Sequence, residues 1–167
     1  MMFFAVLAIA TLLAAATQAV LRRLDVRSSA RIGMAIAMIF AGVAHLLMPT
    51  PFLQHLPPWT PFADAIIVLT GLIEIGFGAA LLVLRPPWRR RTGLALAAYL
   101  VAVFPGNLYV AVAGVDVDGQ PGGWYPWLRL PVQAILIAWA LWSTRPAART
   151  PARQNSTANP APATAAH

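Results

Sequence analysis

Residues 62–84 read FADAIIVLTGLIEIGFGAALLVL. Between Asp64 and Arg85 this stretch carries a single ionisable side chain, Glu74. At 1.5 Å per residue an apolar run of this length matches a hydrocarbon layer about 30 Å thick, so it predicts a membrane-spanning helix. Gly71, Gly76 and Gly78 lie within it, and small residues of this kind let neighbouring spans approach closely.

Moving outward, the run Ile32 to Met48 precedes it and is itself preceded by Arg27 and Arg31. The connection, PTPFLQHLPPWTP (49–61), is too rich in proline for a regular helix and reads as an ordered turn or short interfacial segment. Phe52 and Trp59 suit a headgroup zone, and His55 is expected at the surface there. After RPPWRRR (85–91) a further run extends from Thr92 to about Val115, interrupted by Pro105 and Asn107. Pro105 can free a carbonyl near Val101 and kink the helix. The loop DVDGQPGGWYPW (116–127) leads into a last run, Leu128 to Trp142. The first run, Met1 to Val20, is followed by Arg22 and Arg23. Positive charge after the apolar stretch favours a retained helix over a cleaved signal, although Ala14, Ala16 and Ala19 keep cleavage open. The tail 145–167 is rich in proline, alanine and small polar residues and is expected to be disordered and cytoplasmic. Its NST triplet is therefore not read as a glycosylation site.

Composition agrees. Of 167 residues 59% are hydrophobic and 10% charged, against about 25% charged in soluble domains. All 12 basic residues are arginine, and the net charge is +7. They cluster between apolar runs instead of forming a basic face interleaved with aromatics, which argues against a nucleic-acid partner. Cysteine is absent, so this chain itself forms no disulfide and no thiolate metal site. Arginine-rich and arginine-poor connections alternate strictly. The positive-inside rule then predicts five spans, N-terminus outside and C-terminus in the cytoplasm.

Polar groups inside a bilayer are costly and mark places to look for function. With that orientation, His45 lies roughly 5 Å, Asn107 about 10 Å and Glu74 about 18 Å in from the outer ends of their helices. Arg129 and Gln133 share one face at the outer end of the last run. Glu74 is either a proton-handling or ligand-binding carboxylate or a polar staple between helices; His45, Arg129, Asn107 and Thr70 are its candidate partners. His45 is either a hydrogen-bonded structural residue or part of a site, and no metal-ligand spacing accompanies it. Arg129 is a snorkelling interfacial residue or a clamp on a ligand head. A faint echo links GVAH (42–45) and GLIE (71–74), each with glycine three residues before a polar group. No stand-alone catalytic motif is present, so enzyme status stays open.

From about Arg31 to Trp142, the stretches GVAHLLMPTPF, LPPWTPF, LTGLIEIGFGAALL, VAVFPGNLYVA and LRLPVQAILIAWALW occur in the order expected of the DoxX-like family of small bacterial membrane proteins, and the chain resembles that family. The resemblance implies an all-α membrane protein: a four-helix transmembrane bundle over residues 31–144, to which this chain adds an N-terminal transmembrane helix (1–21), a real fifth helix or a misplaced start. It marks His45, Pro57, Gly71, Glu74, Pro105, Asn107, Arg129, Pro131 and Gln133. Family members are linked to thiosulfate:quinone oxidoreductase and oxidative-stress complexes. The resulting expectation is a multi-pass protein of the bacterial inner membrane, an accessory or ligand-binding subunit in quinone-linked redox metabolism with membrane redox partner subunits. Glu74 and His45 would handle protons, and Asn107, Arg129 and Gln133 would bind a ligand, with quinone the possible cofactor. A structural or assembly protein and a small-solute or proton transporter are the alternatives.

Overall fold

The computed structural model describes residues 2–22 and 24–146; Met1, Arg23 and the tail from residue 147, with its NST triplet, lie outside the described residues. The elements are α1 (Met2–Val20), α2 (Val26–Leu47), α3 (Thr50–Leu53), α4 (Ala63–Val83), α5 (Trp88–Ala102), α6 (Phe104–Ala113) and α7 (Tyr125–Ser143), with no strand among the described residues. The protein is an all-helical membrane bundle. Four of its helical segments are long and apolar enough to cross a membrane: α1, α2, α4 and the α5–α6 pair taken as one span, Trp88–Ala113. In α7 the residues Arg129, Pro131 and Gln133 dilute the apolar character, yet the helix packs as a full member of the bundle. Its Leu136 and Ala140 join Met34 and Met38 of α2, Leu81 of α4 and Leu96 of α5 in the core. Outward-facing Leu69, Leu72, Val101, Val112 and Ile135 stay exposed. Such a surface would drive association in water but matches a lipid solvent.

Glycines set the helix spacing. A Cβ on Gly33 of α2 would overlap the Thr11 side chain of α1, and one on Gly93 of α5 would overlap Thr144 at the end of α7. Gly42 and Gly71 face each other where α2 crosses α4: a Cβ on Gly71 would stand 3.0 Å from the Gly42 carbonyl oxygen and 2.8 Å from the His45 Cβ. Lower on the same crossing, a Cβ on Gly78 would stand 2.6 Å from the Ala35 oxygen. Gly76 corrects the sequence expectation of close packing, since nothing lies within 4 Å of a Cβ added there. Two positions along a helix turn the side chain by roughly 200°, which carries Gly76 off the seam that Gly78 occupies.

Between spans the chain behaves as proline dictates. Residues 49–61 form the single turn α3 and then a series of turns. The fourth run breaks at Val103 and resumes as α6 with Pro105 in its first turn, where a missing N–H is harmless. α7 starts at Tyr125, three residues before the apolar run does, because Pro126 also fits a first turn. Every described arginine except Arg129 lies at the end of the bundle holding the α1–α2 and α4–α5 connections and the end of α7.

Candidate functional site

The polar residues picked out by depth sort into three sets. The first centres on Glu74, which is only 8% exposed. Its Oε1 accepts a hydrogen bond of 2.9 Å from the Tyr99 hydroxyl of α5. Its Oε2 lies 3.1 Å from His45 Nδ1. That nitrogen also sits 2.9 Å from the Ala41 carbonyl oxygen, an acceptor only, so Nδ1 carries the ring hydrogen. The hydrogen serves the carbonyl in the better geometry and leaves Oε2 buried without a properly aligned donor. Phe52 of α3 stacks on the imidazole, centroids 3.7 Å apart and planes 23° from parallel.

Helix geometry explains the meeting. Gly42 and Gly71 are level, so His45 and Glu74, each three residues further on in antiparallel helices, have backbones about 9 Å apart along the axis. Side chains lean toward the N-terminus of their own helix, and in an antiparallel pair these two lean toward one another. α4 starts further out than α2 ends, which reduces the depth difference read from the helix ends. The echo of GVAH and GLIE thus corresponds to one crossing: glycine against glycine and histidine against glutamate.

The second set holds Gln133, whose Nε2 donates to the Leu100 carbonyl at 2.7 Å and whose Oε1 faces Asn107 Nδ2 at 3.4 Å. The carbonyl engaged at the helix break is that of Leu100, one residue before the Val101 expected from Pro105. In the third set Arg129 Nη1 donates to His55 Nε2 at 2.6 Å and to Gln120 Oε1 at 2.7 Å. His55 Nδ1 in turn donates to the Pro51 carbonyl at 2.8 Å. His55 is therefore a partly buried linker and not the surface residue expected from its segment. Burial and the adjacent Arg129 guanidinium lower its pKa to about 4, so it stays neutral. Gln54 adds a second tie across the same end, accepting from the Asp118 N–H at 2.8 Å.

Of the partners expected for Glu74, His45 meets it; Arg129 and Asn107 bond elsewhere, and Thr70 donates to Ile67 on its own helix. Tyr99 was not anticipated. A lone hydroxyl in the apolar stretch LALAAYLVAVF could have signalled it, because a buried Tyr O–H needs an acceptor. Beside this cluster a groove of about 450 Å³ runs between α4 and α5, lined by Ile73, Gly76, Phe77, Ala80, Trp88 and Ala95 among others. Phe77, on the wall of the groove, contacts the Tyr99 ring, 5.5 Å between centroids. Gly76, lacking a side chain, keeps the groove wall low.

No curated protein and no solved structure matches the chain. One family model does, described as "Domain of unknown function (DUF8561)", over residues 34–144, a span that contains all three polar sets and leaves α1 outside. That match covers well over half of the sequence, and the chain belongs to this family.

Proposed function

We propose that this chain is an accessory or ligand-binding subunit of quinone-linked redox metabolism in a bacterial inner membrane, DoxX-like in character, with its C-terminus in the cytoplasm. The observation that carries the reading is Glu74 Oε2, a buried carboxylate oxygen without an aligned donor beside an imidazole. One proton held on either the carboxyl or the imidazole keeps the pair neutral overall, a state that a low-dielectric interior tolerates. Tyr99 fixes the other carboxylate oxygen and, through Phe77, borders the groove. A quinone supplies a two-electron, two-proton acceptor, with the electrons drawn from a redox partner subunit. The chain's part is to seat an apolar tail along α4 and α5 and to hold a proton at Glu74 near the head.

The test is thermal unfolding of the purified protein in detergent, with and without added quinone, for wild type and Glu74→Gln. A quinone-dependent rise in wild type that vanishes in a folded variant supports the reading. The second reading, a structural protein in which these residues only staple helices, is favoured by the internal closure of Gln133 on Leu100. It predicts no quinone response and a lower melting temperature for the variant.

A further inference from the structure

The opposite end of the bundle holds a second polar site. A cavity of about 220 Å³ lies where the start of α2, the start of α5 and the end of α7 converge. Arg27, Arg31, Arg89, Arg90 and Arg145 line it, together with one carboxylate, Asp25. Its Oδ1 caps α2 by accepting from the Arg27 N–H at 3.0 Å. Two of the guanidiniums are anchored by single bonds to backbone carbonyls: Arg89 Nε to Leu84 at 3.1 Å and Arg90 Nη1 to Leu141 at 2.9 Å. Each guanidinium has further N–H donors beyond the one used. Arg31 donates through Nη2 to Ser28, but its Nε is buried and has no partner.

Five arginines around one carboxylate repel each other, least screened by water at the partly buried Arg31, Arg89 and Arg90 and more so at the exposed Arg27 and Arg145. An anion in the cavity offsets that repulsion and supplies an acceptor for the Arg31 Nε. The volume is below the roughly 300 Å³ at which pockets for drug-sized ligands begin. It suits a compact multidentate anion, and guanidinium groups match phosphate oxygens with paired N–H donors. Trp88, at the adjacent mouth of α5, is 57% exposed, and the Arg91 guanidinium lies 4.6 Å over its ring, an arrangement typical of a headgroup zone.

We infer that this arginine cavity binds a phosphate group at the membrane surface, carried by an acidic phospholipid or presented as free phosphate. The site lies on other residues than the Glu74 cluster and does not depend on its role. The experiment is thermal unfolding of delipidated full-length protein in neutral detergent. Phosphatidylglycerol, phosphatidylcholine or inorganic phosphate is added to wild type, Arg31→Gln and Arg145→Gln. A midpoint rise of several degrees with phosphatidylglycerol, absent with phosphatidylcholine and reduced in either variant, establishes a lipid headgroup site. An equal rise with inorganic phosphate that the variants also reduce assigns free phosphate. Equal rises with both lipids, no rise with any addition, or rises that survive in both variants overturn the inference. Arg145→Gln changes a residue just past the end of α7, which keeps the test open should Arg31→Gln fail to fold.

Discussion

His45 Nδ1 stands 2.9 Å from the Ala41 carbonyl and 3.1 Å from Glu74 Oε2, so one ring hydrogen faces two oxygens. The relationship makes the pair separable by mutation. His45→Gln removes the ring nitrogen that faces Oε2 and should destabilise the protein by about 1–3 kcal/mol. Adding Glu74→Gln should recover part of that loss. A double-mutant cycle on unfolding in detergent should give a coupling of at least about 0.5 kcal/mol, and additivity would show that the two side chains do not interact.

The glycines divide into two classes. Gly42→Ala and Gly71→Ala push a methyl into the opposing backbone and should lower the melting temperature markedly, whereas Gly76→Ala should be neutral or gain up to about 1 kcal/mol from helix propensity. Gly76→Leu should leave the fold intact while narrowing the groove between α4 and α5. Melting curves recorded with and without quinone check both: the leucine variant should keep its midpoint and lose the quinone shift.

His55 links stability to pH. Its folded pKa near 4 lies below the ordinary value of 6.5, so the unfolded chain binds more protons between those limits. Its contribution is therefore fully present above pH 6.5 and is lost as pH falls toward 4. Subtracting the melting profile of His55→Gln from that of wild type should leave a difference that shrinks across this window. A flat difference would mean that the imidazole is not held neutral by burial and Arg129.

Reporter fusions test the orientation that the arginine clusters imply. Fusions at Arg90 and at the C-terminus should both report cytoplasm. A periplasmic signal from either would reverse the sidedness of the arginine cavity and of the Glu74 cluster together.

Much of this was legible in the linear sequence, for identifiable reasons. Span lengths and the isolation of Glu74 follow from hydropathy, and the bundle formed accordingly. That His45 would meet Glu74 was present only as a faint echo, because three-residue offsets become contacts only once Gly42 and Gly71 are known to be level. The lone hydroxyl of Tyr99 marks it as needing an acceptor, but nothing in the string says that the acceptor is Glu74, 25 residues away. The placement of Arg129 depended on a fold-back of residues 49–61 that no periodicity encodes. Gly76 and Gly78 look alike in a string, and only the helical turn between them separates a seam from a groove.

The two irregular segments at the Arg129 end are sewn together, Gln54 to the Asp118 amide and His55 through Arg129 to Gln120. Phe52, which lies flat on the His45 ring, belongs to one of the sewn segments. A molecule approaching His45 from that aqueous side must therefore displace a lid fastened at two points to a stretch more than 60 residues away in sequence, including a charged clasp. The fold thus keeps its partly buried histidine behind a stitched cap at that end.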